Sequence, residues 1–384
     1  MIYKLKDICI RITDGSHFSP KAKTNGYPMF SVKDMLTYGF DYSNCKRICK
    51  EDFEKMLKSG CVPQAGDVLV AKDGSYLKEI FVCTETKKEA VLSSIAIFRP
   101  NQKIVNSYFL CYLLKSPNIY NYISSNCVSG SALPRIILKA FKEIEVDIPD
   151  LHVQENIVRI LKLLDDKIAL NTRINRNLSE QAIALYKAMI LDALEECSEG
   201  VLSDIADIVM GQSPKGDTYN EDGAGAVFYQ GRAEFGERFP TRRLFTTAPK
   251  RMAKENSVLM SVRAPVGDVN VAYEECCIGR GLCSVASKDN HQSFILYTMY
   301  NLKDKFDVYN GEGTVFGSIN KDSMNCMTIQ IPNKALMDRF EKIVSPMDVI
   351  IKANYDENCR LIAVRDSLLP KLMSGELDVS DFKV

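Results

Sequence analysis

Ile148-Pro149-Asp150-Leu151 opens a stretch that continues through Gln154-Glu-Asn-Ile157 and Asp165-Asp-Lys-Ile168 to Asn171. A second copy of the same plan begins at Ile331-Pro332, 183 residues further on. Without a gap, that shift sets Gly130 on Gly313, Ile136 on Ile319, Ile160 on Ile343, Asp165 on Asp348 and Ile168 on Ile351. It then sets Asn171 on Asn354, Asn175 on Asn358, and Leu178, Leu185 and Met189 on Leu361, Leu368 and Leu372. The beginnings of the two halves match as well. Leu5-Lys-Asp7-Ile8 precedes Gly15-Ser16 as Leu202-Ser-Asp204-Ile205 precedes Gly211-Gln-Ser213, and Gly66-Asp-Val68-Leu69-Val70 answers Asn256-Ser-Val258-Leu259-Met260. Self-similarity at one fixed period is the mark of a tandem duplication.

Each half changes texture once. Its first part has short apolar runs punctuated by Gly, Pro and Asn: Val68–Ala71, Ile80–Thr84, Ile95–Phe98 and Val258–Val262 read as strands, and Ser107–Leu114 as a helix. Its second part is one long helix. After Pro149, apolar residues at Ile157, Ile160, Leu164, Ile168, Leu178, Ala182, Leu185 and Met189 keep three-and-four spacing, with no Gly or Pro before Gly200. The second helix runs from about Asn333 to Met373 through Phe340, Ile343, Met347, Ile351, Leu361, Leu368 and Leu372; Pro346 predicts a kink and Pro370 an early end. Asn171, Asn175, Asn354 and Asn358 stand where the apolar face expects hydrophobic residues, which suits asparagines that set the register of two helices packed together. Helices of roughly 40 residues would be rods of about 60 Å, packed antiparallel between two strand-rich domains. The expected class is α+β: two similar domains (1–148 and 198–331), each followed by a long-helix spacer (149–197 and 332–384).

Composition narrows the function. With 46% hydrophobic and 26% charged residues the chain has the balance of a globular protein. No run is long and apolar enough for a membrane helix, and the N-terminal residues form no signal peptide. Thirteen cysteines without a Cys-x-x-Cys pair, and only three histidines, argue against disulfide or zinc frameworks and for a reducing cytoplasm. Net charge is zero, but its distribution is uneven. Residues 1–147 carry 21 Lys and Arg against 15 Asp and Glu, and residues 230–263 carry 8 against 3. Nucleic acid is permitted as a partner.

Taken in order, these words resemble the specificity subunit of type I restriction-modification enzymes over nearly the whole chain. The most telling are Ile148-Pro149 with Gln154-Glu-Asn-Ile157, Asp165-Asp-Lys-Ile168 followed by Asn171, Ser261-Val-Arg-Ala-Pro-Val-Gly-Asp268, and the ending Leu368-Leu-Pro-Lys-Leu-Met-Ser-Gly-Glu-Leu377. The resemblance implies that each globular part is a target-recognition domain for one half of a split, asymmetric DNA sequence. It implies that the helical pair spaces these domains and docks two modification subunits, which carry S-adenosylmethionine and methylate adenine. Restriction subunits using ATP and Mg would add translocation and cleavage. The first copy departs from the pattern, with Lys72-Asp-Gly-Ser-Tyr76 where the second has Arg263-Ala-Pro-Val-Gly267, and Gln154 is matched by Met337.

Catalysis is not visible in the chain. An adenine methyltransferase needs an (Asn/Asp)-Pro-Pro-(Tyr/Phe) grip on the flipped base, and no Pro-Pro occurs. Asp222-Gly-Ala-Gly225 precedes an apolar run instead of following one, so it reads as a loop, and Gly311-Glu-Gly313 as a turn. No phosphate loop is present. Two alternatives remain at this level. One is a metal-dependent nuclease built on Asp73, Glu85 and Lys87. The other is a scaffold whose globular parts touch no DNA. Candidate DNA contacts in the first domain are Lys21, Lys23, Lys33, Lys46, Arg47 and Lys72. In the second they are Arg232, Arg238, Arg242, Arg243, Lys250, Arg251, Arg263 and Arg280, since Lys and Arg neutralise phosphate and Arg also reads guanine through two parallel bonds. His17 and His291 have no evident nucleophile beside them in the sequence.

Overall fold

The computed structural model describes residues 1–74, 76–129, 134–310 and 317–380. Gly311-Glu-Gly313 and the matched pair Gly130 and Gly313 lie outside the described residues. The chain forms two compact units, Met1–Asn171 with Asp356–Val384, and Thr172–Tyr355. Each contains one strand-rich domain and part of both long helices, α1 (Leu151–Tyr186) and α2 (Lys334–Ser374).

The duplication is visible in the strand order. In the first unit a four-stranded antiparallel sheet runs Cys9–Asp14, Ile95–Pro100, Val68–Ala71, Ile80–Val82. The second repeats it as Ala206–Met210, Leu282–Ser287, Val258–Ser261, Val269–Val271. A second sheet pairs Tyr27–Phe30 in parallel with Ala90–Val91, and Ala226–Tyr229 likewise with Cys276–Ile278. Each domain is closed by a ladder between its ends, Ile2–Lys4 with Glu145–Asp147 and Cys197–Val201 with Thr328–Pro332. The strands expected from apolar runs are present, because Val68, Leu69, Val70, Val258, Leu259 and Met260 are buried on both faces.

Helix Ser107–Lys115 begins where Asn106 accepts from the N–H groups of Tyr108 (2.8 Å) and Phe109 (3.3 Å). Fully buried Gln154 of α1 accepts from Asn106 N–H (2.9 Å) and donates to the carbonyls of Ile104 and Pro149. In the second unit Met337 cannot do this. Instead Glu341 of α2 accepts from the N–H groups of Ser293 (3.1 Å) and Phe294 (3.0 Å) at the start of helix Gln292–Asn301. Both long helices therefore tie down the first turn of a domain helix, by different side chains.

A carboxylate shielded from solvent, Asp165 buried and Asp348 half-buried, sits about four turns along each long helix. Asp165 of α1 accepts from Tyr112 Oη (2.8 Å), Tyr38 Oη (3.0 Å) and an Arg365 guanidinium nitrogen on α2 (2.9 Å). Asp348 of α2 accepts from Tyr297 Oη (3.0 Å) and from Arg238. Within each unit α1 and α2 run antiparallel, Asn156 meeting Val379, Asp165 meeting Arg365 and Asn171 meeting Asn358 in the first. Asn175 accepts from Asn354 (2.8 Å) in the second. The 183-residue shift that carries Asn171 to Asn354 carries Asn175 to Asn358, so each cross-helix pair is the image of the other.

Pro370 does not end α2, which continues to Ser374 and stops at Gly375 in the left-handed region (φ +75). Pro346 leaves the helix uninterrupted. Phe340, Val344, Ile351, Leu369 and Leu372 are buried around the two prolines. Their combined burial, at about 1.5–3 kcal/mol per large side chain, outweighs the loss of about 3 kcal/mol at each proline. The first helix is shorter than expected: α1 ends at Tyr186 in a π-helical turn, Lys187–Leu191.

Replacing Asn175 by Leu takes the acceptor from Asn354 and should cost about 1 kcal/mol, with much of it recovered in the Asn175→Leu/Asn354→Leu double variant; urea unfolding measures both. Burial first, and the charge of Asp165 second, push the Tyr112 phenol well above its ordinary value. Its proton stabilises the fold fully below about pH 10, the value in the unfolded chain, and that contribution is lost as pH rises further. The urea midpoint should fall above that pH, less steeply in Tyr112→Phe.

Candidate nucleic-acid interface

In the second unit the segment Val262–Asp268 joins two neighbouring strands, and nearly every backbone group in it is tied. Ile319 N–H donates to Val262 O (3.1 Å), Ala264 N–H to Gly317 O (3.1 Å) and Gly267 N–H to Ser261 O (3.0 Å). Ser261 Oγ donates to Pro265 O (2.7 Å) and accepts from Asp268 N–H (3.0 Å), while Val266 N–H donates to Asn310 Oδ1 (2.6 Å). The Ala264-Pro265 peptide is cis. Gly267 is required: its φ is +91, and a Cβ there would lie 2.5 Å from Phe306 Cβ. Arg263 is thus an exposed side chain on a rigid loop.

Two further backbone bonds gather other cations nearby. Val262 N–H donates to Gly281 O and Ile278 N–H to Arg251 O, both at 2.9 Å. Lys250, Arg251, Arg263 and Arg280 are all exposed, and among the described residues none of their side chains is in an ion pair. The remaining second-domain candidates each face a carboxylate. Arg232 and Lys303 both bind Asp268. Burial would raise that carboxyl, but the hydrogen bonds and charges of Lys303 and Arg232 hold it below its usual value. These three residues, with Phe235, Asn270 and Tyr300, line an open cavity of about 510 Å³. Arg242 pairs with Glu274 and stacks over Tyr273, and Arg243 pairs with Glu234 (3.0 Å). Arg238 is largely buried against Asp348 and Tyr300, where it secures α2 and has no free face for a polyanion.

In the first unit, Lys21, Lys23, Lys46 and Arg47 come together because residues 19–26 lie along strand Lys46–Ile48. Lys23 N–H donates to Arg47 O (2.9 Å), Lys46 Nζ to Ser19 Oγ (2.7 Å), and Arg47 to Gly26 O (3.0 Å). Lys33 is exposed on a separate turn, Val32–Asp34. Lys72 is buried, with Nζ 3.5 Å from both Asp14 and Asp73, so its charge is compensated inside the domain and does not reach solvent. Arg135 was missed among the sequence candidates. It binds Asp73 (3.1 Å) and stays 53% exposed. The signal was available, since the 183-residue shift sets Arg135 on Ser318 beside the matched isoleucines.

The nuclease constellation does not assemble. Asp73 lies beyond one end of strand Val68–Ala71, whereas Cys83, two residues before Glu85, bonds Asp67 at the other end. Six strand residues separate those ends by about 20 Å. Glu85 and Lys87 pair with each other (3.0 Å). Among the described residues no three His, Cys, Asp or Glu side chains are grouped to hold a metal ion, and no helix is long and apolar enough to cross a membrane. His17 faces Asp14 (3.5 Å) and His291 faces Asp338 (2.7 Å), neither with a nucleophile. Asp222-Gly-Ala-Gly225 is a loop with Gly223 and Gly225 in the left-handed region.

A duplicated strand-rich domain, each copy bound to halves of a long-helix pair and presenting exposed cations, has the architecture of a two-part recognition protein. Residues 1–180 and 195–357 match the model of the type I restriction modification DNA specificity domain, and the chain belongs to that family. It is similar to a sequence of Methanocaldococcus jannaschii assigned to the type I restriction enzyme MjaX as its specificity subunit, with 28% identity over 98% of this chain and 93% of the relative. It is also similar to the HindI specificity subunit of Haemophilus influenzae, with 24% identity over 98% and 99%. The fold matches the crystal structure of a type I restriction-modification system S subunit from M. genitalium, with a TM-score of 0.59 and 16% identity over 97% of this chain and 95% of that one.

The split between paired and unpaired cations has a measurable consequence. If duplex DNA lies on the unpaired set, Lys250→Gln and Arg251→Gln should each weaken binding evenly across sequences and reduce the slope of log affinity against log salt by about 1. Arg242→Gln and Arg243→Gln should leave that slope nearly unchanged.

Proposed function

We propose that this chain is the DNA-reading component of a type I restriction-modification complex, each of its two domains meeting one half of a split, asymmetric duplex target. The observation that carries this reading is the repeated strand-and-loop scaffold, which presents exposed Lys and Arg side chains without an ion-pair partner among the described residues. Such a chain supplies sequence preference, and the chemistry falls to others. Two modification subunits would bring S-adenosylmethionine and methylate adenine; restriction subunits would bring ATP and Mg for translocation and cleavage. The long helices are the natural seat for the modification subunits, since α1 and α2 retain exposed apolar residues such as Leu163, Leu170, Val349 and Ile350.

The test is methylation of a random-sequence duplex library by the modification subunits with and without the full chain. The expected result is adenine methylation at one two-part sequence only when the chain is present. Methylation with the same sequence preference in its absence rejects the proposal.

A further inference from the structure

We propose that Arg135 and Arg263 are base-reading residues at one equivalent position of the two domains, each determining a base pair in a different half of the target. This rests on the functional reading above and adds to it the residues that make the two halves differ.

The two side chains leave the same backbone bridge. In the first domain Asp73 is bridged to Arg135, and in the second Arg263 is bridged to Ser318. The surrounding bonds correspond one to one. Ile136 N–H donates to Lys72 O (3.0 Å) as Ile319 N–H donates to Val262 O (3.1 Å). Lys72 N–H donates to Ser94 O as Val262 N–H donates to Gly281 O, both at 2.9 Å. Leu77 and Gly267 each turn back with positive φ (58 and 91) to donate to Ala71 O and Ser261 O. Each bridge carries one exposed guanidinium, but from opposite members: Arg135 from the returning strand, Arg263 from the loop.

Charge and geometry favour a base contact over a phosphate contact at Arg135. Asp14, Lys72, Asp73 and Arg135 form a chain of alternating charge, with successive separations of 3.5, 3.5 and 3.1 Å. The negative charges of Asp73 and Asp14 offset the two cations, so Arg135 adds little to the long-range field that releases counterions from DNA. What remains is a guanidinium paired through one nitrogen with a carboxylate that is itself 10% exposed, while the arginine side chain stays 53% exposed. A guanidinium steadied by a buried partner loses less freedom on binding than a free one, and its planar fork offers two parallel donors, the geometry that guanine O6 and N7 accept. Arg263 reaches a comparable state by another route, through the tied loop on which it stands.

The experiment uses the full chain with its modification subunits and the random-duplex library, comparing wild type with Arg135→Lys, Arg263→Lys and Asp73→Asn. Lysine keeps the charge and removes the fork, and Arg135→Lys also keeps the ion pair with Asp73, so the domain remains folded; thermal melting verifies this. The expected result is a loss of about tenfold or more in preference for one base pair in one half-target for Arg135→Lys, and in the other half-target for Arg263→Lys, at unchanged salt slope. Asp73→Asn should relax the same base pair as Arg135→Lys. Full base preference in both lysine variants overturns the inference, as do losses spread evenly across sequences or both confined to one half-target. A wild-type chain that shows no two-part preference overturns the functional reading itself, and this inference with it.

Discussion

A carboxylate out of water must be met by donors, and that requirement governs how each long helix joins its domain. Asp165 is 7% exposed and receives two phenols and a guanidinium; Asp348, with its side chain 20% exposed, receives a phenol and the largely buried Arg238. Breaking a buried pair costs about 3–5 kcal/mol because the surviving charge is stranded, so only one rotation of the helix against the domain is tolerated. Apolar packing around it is far less selective, since it can be satisfied in several registers. The clasp therefore supplies direction where the hydrophobic core supplies most of the attraction.

With that junction set, the two halves have kept a backbone and changed its decoration. Tyr112 and Tyr297 fill the same role, and Gln154 and Glu341 tie the same helix start by unlike chemistry from neighbouring turns. Where the first domain has Asp14, Lys72 and Asp73, the second has Met210, Val262 and Arg263 at the same ladder positions. An asymmetric target can be met in this way by a duplicated scaffold, because hydrogen bonding in the groove depends on side chains and not on the strands that carry them.

Much of this was legible in the residues. The 183-residue repeat, the strand runs at Val68–Ala71 and Val258–Ser261, the two long helices and the four seam asparagines all follow from patterns local to the chain. Periodicity is a property of neighbours in sequence, so it survives without knowledge of the fold. The string around Arg263 stood out in the sequence only through its family resemblance; that it forms a tied loop emerged with the fold.

What the sequence by itself determined, then, is the duplication, the class of element in each segment and the identity of the family. Tertiary structure alone decided which charges remain available. Lys72 and Arg238 looked like their neighbours along the chain, yet both are buried against aspartates supplied from elsewhere, Asp14 from a distant strand and Asp348 from α2. Arg135, by contrast, is brought to the surface beside Asp73 by a two-residue bridge. The prolines at 346 and 370 were tolerated for the same reason. An ion pair or an apolar contact between residues far apart in sequence has an energy set by distance and burial, and neither exists until the chain has folded.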